Sequence, residues 1–370
     1  MLRLQILQST HQRVILGVGN RRLVENIVQM LVVAQIVAQF VDFGRGIFHG
    51  PLIYNLTRKP ENLPIIYQNI VLIYNPKAGR FGRGGGLLVE RAVKILAKQG
   101  GNVKVAPTTG PGTAGALARA HIETGADLIV VAGGDGTINE VVEGMVHSAV
   151  PLAILPGGTA NVLAMEMGLG KNLERVAGRL PELKPHRISL GHVTCDGGKI
   201  ARHFVLMAGI GVDAHIVYNV DAAVKARTGK LAYWLAGFSL LGRKLAPVTV
   251  VIDGQARVCS FALLSRVRNY GGDFEIARSV SLFDHDFEVV LFEGESSIWY
   301  MKYLVGMALN RLTGMKGVNV LRTDRVALGT ADMRVYVQID GELAGHLPAE
   351  IRIVPDALTL LIPEEYERRL

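Results

Sequence analysis

The apolar run Asp127–Ala132 leads straight into Gly133-Gly134-Asp135-Gly136-Thr137-Ile138-Asn139-Glu140, and this junction constrains the fold more than any other stretch. The run is short and rich in β-branched residues, which predicts a buried strand. Val141-Val142-Glu143-Gly144-Met145 then has the apolar spacing of the first turns of a helix. A strand, a glycine turn and a helix start together aim backbone N–H groups and a positive dipole end at an anion. Asp135 in that turn is placed to hold a cation or to orient a phosphate-bound metal. The Gly-Asp-Gly triplet alone is equally well explained as an ordinary turn; the full octet favours the anion site.

The same unit recurs along the first half of the chain. Ile70–Tyr74 reads as a strand ending in Asn75-Pro76-Lys77-Ala78-Gly79, followed by a helix over Leu87–Lys98. Asn102–Ala106 is a strand ending in Pro107-Thr108-Thr109-Gly110-Pro111-Gly112, followed by a helix over Thr113–Thr124. Leu152–Leu155 is a fourth strand, ending in Pro156-Gly157-Gly158-Thr159-Ala160-Asn161. Strands alternating with helices predict a parallel sheet covered on both faces. Ligands of such sheets sit at the carboxyl ends of the strands, so these four loops define one site.

After about Pro185 the texture changes. Arg187–Val193, Lys199–Met207, Val248–Ile252, Ala256–Leu264, Glu288–Phe292, Arg334–Ile339 and Leu358–Ile362 read as strands without regular helices between them. The expected fold class is therefore an α/β domain with a parallel sheet, then a β-rich antiparallel sandwich or barrel. Two helical insertions are expected, Lys230–Leu245 and Ser297–Leu312; the first is basic and aromatic, which suits either a core helix or a helix lying on an anionic membrane. The expected division is 1–68 as an N-terminal extension, 69–185 as the first domain and 186–370 as the second, whose last strand is free to return to the first.

Residues 23–43 are largely apolar but interrupted by Glu25, Gln29, Gln35 and Asp42, too polar for a bilayer span. They also lack the layout of a secretory signal. The N-terminal extension reads as an amphipathic anchor, a dimerising helix or sequence upstream of the true start, and the last is preferred because the strand–helix pattern begins only at Asn69. The formal charge of +8 admits nucleotides, nucleic acid or anionic membranes as partners and selects none of them. Cys195 and Cys259 have no metal-ligand spacing, which points to a reducing, cytosolic setting. Gly110-Pro111-Gly112-Thr113-Ala114-Gly115 satisfies a dinucleotide-type pattern, but its context makes it one wall of a phosphate site with Thr108 and Thr109 as hydroxyl donors. A Walker-type loop and a serine-hydrolase elbow are absent as patterns.

Two acidic clusters lie in the second half. Asp284-His285-Asp286 follows Ser281-Leu282-Phe283 and is either a cation loop or a solvated turn. Asp340-Gly341-Glu342 reads on spacing as a hairpin turn. If the two domains close over a cleft, Glu342 faces the glycine loops and can accept a proton.

Taken in order, Asn75-Pro76-x-Ala78-Gly79, Thr108 with Gly112-x-Ala114, the 133–140 octet, the 156–161 loop and Asp340-Gly341-Glu342 resemble the diacylglycerol kinase catalytic-domain family. The resemblance implies a first domain like those of NAD kinases and 6-phosphofructokinases, with ATP in the interdomain cleft. It implies nucleotide contacts from Asn75, Thr108, Gly133, Gly134, Asp135, Gly136, Thr137, Ile138, Asn139 and Thr159. It makes Glu342 the proton acceptor and sets Asp135 beside the transferred phosphate or its metal. A Mg²⁺ site of bacterial members falls on Ser281, Asp284 and Asp286, although their usual Asp-Gly-Leu stands here as Asp284-His285-Asp286. The implied activity is ATP- and Mg²⁺-dependent phosphorylation of a lipid hydroxyl, diacylglycerol or a relative, by a cytoplasmic protein visiting the inner membrane face. Its partners are then ATP and lipid, not nucleic acid, with a homodimer left open. The alternatives are an NAD kinase and a non-catalytic nucleotide-binding sensor; the Asn139-Glu140 continuation of the turn argues against the first.

Overall fold

The computed structural model describes residues 67–369 apart from 80, 82–84, 212–244, 271–273, 295–301, 304–305, 307–310, 313 and 332–334. These described residues belong to one compact unit, Pro64–Leu370. Residues 1–66 of the 1–68 extension, nearly all of the Lys230–Leu245 insertion and most of Ser297–Leu312 lie outside the described residues.

The first domain runs β1 (Asn69–Tyr74), α1 (Gly85–Ala97), β2 (Asn102–Pro107), α2 (Ala114–Glu123), β3 (Leu128–Gly133), α3 (Asp135–Met145), β4 (Leu152–Pro156), α4 (Val162–Glu166) and α5 (Leu173–Gly178). The strands pair in parallel in the order β2-β1-β3-β4. Every residue of β3 and β4 is buried, which is why both read as unbroken apolar runs. Helix α1 packs on α5, and α2 packs on α3. The order reverses direction between β1 and β3, so the loops leaving those two strands part and leave a crevice at the sheet edge.

One expectation shifts here. The octet is not a turn that precedes a helix at Val141; α3 already begins at Asp135, with Gly134 extended at its cap (φ −92°, ψ 177°). An acidic residue in the first turn complements the dipole and offsets the low helix propensity of Gly136.

The second domain contains β5 (Lys184–Cys195), β6 (Ile200–Phe204), β7 (Met207–Gly211), β8 (Val248–Ile252), β9 (Gln255–Cys259), β10 (Phe261–Ser265), β11 (Asn269–Tyr270), β12 (Phe274–Glu275), β13 (Phe287–Phe292), β14 (Val318–Thr323), β15 (Arg325–Gly329), β16 (Tyr336–Ile339), β17 (Glu342–His346) and β18 (Ala349–Ile362), then a short α6 (Glu364–Glu367). One antiparallel sheet has the order β14-β13-β10-β7-β16-β17. The facing layer is built from β18, β15, β8 and β9 with β5 and β6, and it is continuous with the parallel sheet of the first domain. Ile210, Leu264, Phe287 and Val289 from one sheet meet Val193, Val250, Val326 and Ile351 from the other in an apolar core. The expected sandwich is therefore present.

Strand β18 is the seam. Its first half pairs antiparallel with β15, its Leu360 pairs in parallel with Leu152 of β4, and β5 runs antiparallel along almost its whole length. A register shift between Val354 and Leu358, with Asp356 at φ 47°, lets one strand serve both the parallel and the antiparallel part of this sheet.

Candidate active site

The glycine loops after β3 and β4 are pressed backbone against backbone. Gly157 N–H donates to the Gly133 carbonyl at 2.9 Å. A Cβ on Gly158 would lie 2.5 Å from the Cα of Gly134, so only glycine fits. Asn161, at a left-handed φ of 50°, fixes that loop by accepting the Gly158 N–H at 2.8 Å and donating back to the Gly158 carbonyl at 2.9 Å. Gly158→Ala should cost about 1–3 kcal/mol by overpacking, read as a lower unfolding midpoint.

The β1 loop is tied to the same place. Asn75 Nδ2 donates to Thr137 Oγ1 at 3.2 Å, while Asn75 Oδ1 accepts the Lys77 N–H at 2.9 Å. A Cβ on Gly79 would sit 3.2 Å from Thr159 Oγ1. Asn75, Gly133–Thr137 and Thr159 thus converge at the crevice. Asp135 accepts the Leu163 N–H at 3.4 Å and so joins the start of α3 to the start of α4. Burial raises its pKa, against backbone donors at Val162, Leu163 and Asn161.

The β2 loop plays a different part. Thr108 is buried beside β1, its N–H on the Tyr74 carbonyl at 2.9 Å. The N–H groups at the start of α2 are taken by Glu140, whose carboxylate accepts from Gly112 at 2.8 Å and Ala114 at 3.0 Å. The last residue of the octet thus caps α2 internally, where the sequence suggested one wall of a phosphate site. Ile138 lies in the core of the first domain.

One face of α3 meets the second domain at residues 136, 139 and 143, helical neighbours at a spacing of three and four. Asn139 is buried, and its Nδ2 donates to Asp340 Oδ2 at 2.9 Å. Glu143 accepts the His203 N–H at 2.7 Å and contacts the imidazole at 3.2 Å. At Gly136 a Cβ would lie 2.6 Å from Glu342 Oε1, so this carboxylate rests directly on the glycine turn. Arg202 of β6 donates to Glu342 Oε2 at 3.0 Å.

Asp340 and Gly341 form a two-residue hairpin between β16 and β17, with φ of 49° and 82° as a type I′ turn requires. The hairpin reading and the cleft reading hold together, because the turn is what aims Glu342 at α3. Beyond the Asn139 amide, Asp340 accepts the N–H groups of Val205, Leu206 and Met207, each at 2.9 Å. Four N–H donors suit a carboxylate; burial works against them and pushes the group up to about 7, with Asp135 adding like charge. The sequence marked Asp340 within a motif but gave no sign of its partners, which lie more than a hundred residues away. Glu143 and Arg202 carried no signal beyond being charged residues near apolar ones, and Glu140 was marked by the octet without any sign of its capping role.

Ser281, Asp284 and Asp286 lie together at the start of β13, away from α3 in the contacts they make, and their oxygens are already engaged. Arg322 of β14 reaches Asp284 Oδ2 at 2.7 Å and Asp286 Oδ2 at 2.9 Å. Asp284 also accepts from Ser281 N–H at 3.0 Å and Ser281 Oγ at 3.1 Å, and the Ser281 carbonyl accepts the Asp284 N–H at 3.1 Å. Burial works to raise the pKa of Asp284, and Arg322 and Ser281 outweigh it, so the group sits below the ordinary carboxylate range. A donor set saturated by a guanidinium does not fit the divalent cation that the resemblance implies there. His285 is exposed, as its loop position suggests, with Nδ1 2.7 Å from Ser189 Oγ.

Glycine-rich strand ends on one domain and a carboxylate presented by a β-sandwich on the other define a two-domain kinase. The diacylglycerol kinase catalytic domain matches residues 69–193, and the YegS C-terminal NAD kinase beta sandwich-like domain matches residues 207–362. The chain belongs to the diacylglycerol kinase catalytic-domain family of lipid kinases. The diacylglycerol kinase of Bacillus subtilis (strain 168) is 26% identical over 81% of this chain and 98% of its own length. That of Mycobacterium tuberculosis (strain CDC 1551 / Oshkosh) is 28% identical over 67% of this chain and 80% of its own. The crystal structure of a diacylglycerol kinase from Bacillus anthracis str. Sterne shares the fold at a TM-score of 0.65 and 23% identity, over 81% of this chain and 98% of that one. Another structure from that organism reaches a TM-score of 0.70 at 22% identity, over 83% and 99%.

Proposed function

We propose that this chain transfers the γ-phosphate of ATP to the hydroxyl of a lipid, diacylglycerol or a related acceptor. The observation that carries this reading is the placement of the Glu342 carboxylate against Gly136, beside the N–H groups that open α3. Residues 69–185 bind the nucleotide: its phosphates lie over Gly133–Thr137 and the 157–159 loop, with Asn75 and Thr159 at the rim. Thr108 and the buried Ile138 and Asn139 shape that crevice from behind. Asp135, a hard oxygen donor at the mouth of the turn, would hold a Mg²⁺ brought with ATP, and that ion would supply charge neutralisation at the phosphoryl oxygens.

Residues 186–370 present the acceptor. Glu342 orients the lipid hydroxyl and takes its proton as the oxygen attacks in line, and Arg202 keeps the carboxylate in place. Phosphoryl transfer is mainly positioning and charge stabilisation, so glycine loops, one base and a helix dipole are sufficient. Among the described residues no helix is long and apolar enough to cross a membrane. The net charge of +8 supports approach to an anionic bilayer from the cytoplasmic side.

The test is transfer of labelled γ-phosphate from ATP to a panel of lipids in mixed micelles with Mg²⁺, wild type beside Asp135→Ala. A labelled lipid is expected with wild type and at least about tenfold less with the variant, since one charge-stabilising group is worth that or more. A melting curve on the variant separates lost chemistry from lost folding. In a parallel reaction with NAD as acceptor, labelled NADP with no labelled lipid would replace this reading with an NAD kinase. ATP binding without any acceptor would leave a nucleotide sensor.

A further inference from the structure

We infer that Arg322 is a built-in cation for the 281–286 loop, occupying the electrostatic place of a divalent ion, so that the second domain needs no metal to fold. Three independent features converge on it. Arg322 holds both carboxylates of the loop, with Nε on Asp286, Nη2 on Asp284 and again on Asp286, and Nη1 on the Ser279 carbonyl at 2.6 Å. The planar guanidinium suits this task, since it serves several oxygens in one fork where an ion would gather them in a shell.

The inner side of the loop is served by a second guanidinium. Arg266 is fully buried and donates to the Leu282 carbonyl at 2.9 Å and the Asp284 carbonyl at 3.3 Å. Two backbone oxygens on the inner side of the loop are therefore turned toward arginine, and the Ser281 carbonyl is taken by the Asp284 N–H. Finally, Arg322 is placed by strand register: it lies opposite Glu288 in the β13–β14 pair, and Glu288 accepts from Arg278 N–H at 3.1 Å and Ser279 N–H at 2.8 Å. The segment before the loop and the strand after it are thus fixed around the same arginine. His285 and Asp286 then have definite uses, one bonded to Ser189 of β5 and the other paired with Arg322.

The experiment uses the full chain without nucleotide and reads folding, so it stands whether or not the kinase reading does. Wild type is dialysed against EDTA, its metal content is measured, and it is melted with EDTA, MgCl₂ or CaCl₂. The expected result is no stoichiometric metal and a midpoint that moves by less than about 1 °C between conditions. Arg322→Met is then melted in the same three solutions. Its midpoint should fall by about 2–4 °C in EDTA, and millimolar Mg²⁺ or Ca²⁺ should recover at least half of that, because the freed carboxylates now accept an ion. One equivalent of metal retained by wild type, or a wild-type midpoint that drops in EDTA, would overturn the inference. So would a folded Arg322→Met that ignores both ions. If that variant folds in none of the solutions, the wild-type metal content and EDTA melt decide.

Discussion

Glu342→Gln should lower turnover about 10²- to 10⁴-fold, the range a positioned general base contributes, while ATP binding is unchanged. Glutamine keeps the size of the side chain and an oxygen for Arg202, so the hairpin and its contact with α3 are retained. What it loses is the capacity to take the proton of the attacking hydroxyl. The nucleotide side of the crevice is built from the first domain, and an isosteric glutamine keeps the packing against Gly136. ATP affinity measured by titration calorimetry should therefore match wild type, and the loss should appear in kcat for the lipid. A variant whose kcat stays within about tenfold of wild type would remove Glu342 from the role of base.

Asp340→Ala should be the most destabilising single change at this site, by an amount on the order of 5 kcal/mol. The buried carboxylate serves three consecutive backbone N–H groups at 205–207 and the Asn139 amide. Each donor left without an acceptor in the interior costs about 1–3 kcal/mol, and water entering the gap returns part of it. Against a typical total of about 5–15 kcal/mol, a loss of that size leaves little folded protein on mild heating. Asp340→Asn keeps one acceptor oxygen and should lose roughly half as much. Urea unfolding of the two variants beside wild type checks both values. An alanine variant within about 1 kcal/mol of wild type would show that water replaces the carboxylate fully.

The first domain was legible because β1, β3 and β4 are apolar runs closed by glycine or polar residues, as strands buried on both faces of a parallel sheet demand. Only its edge strand, β2, is mixed and largely exposed. The second was legible only in outline. Ala256–Leu264 reads as one strand but is split at Ser260 into β9 and β10, which go to different sheets. Lys199–Met207 likewise divides, its last residue opening β7. β14 and β15 were missed, and β18 was read only from Leu358 because Pro355-Asp356 is a turn signal. In the sheet that pair is a bulge, and the alternation of Ala349, Ile351 and Ile353 inward with Glu350 and Arg352 outward continues before it.

At the site, the glycines announced themselves because backbone approach has no substitute. The contacts that organise them did not. Asn139 and Asp340 are 201 residues apart, and nothing local in either segment names the other. The same holds for Arg322 and its loop, where only the unusual Asp284-His285-Asp286 hinted that the surroundings differ.

Because β18 follows every other described strand and joins the parallel and antiparallel parts of the larger sheet, the two halves of this kinase are not exchangeable modules. A ribosome that has released everything up to Pro348 has made a first domain whose β4 edge is still open and a sandwich that still lacks one of its inner strands. Neither half closes until the final segment emerges and threads between them, pairing with β4, β5 and β15. Assembly of the crevice is thereby tied to the arrival of β18, and any exchange of second domains between relatives has to carry β18 with care for its neighbours in both halves.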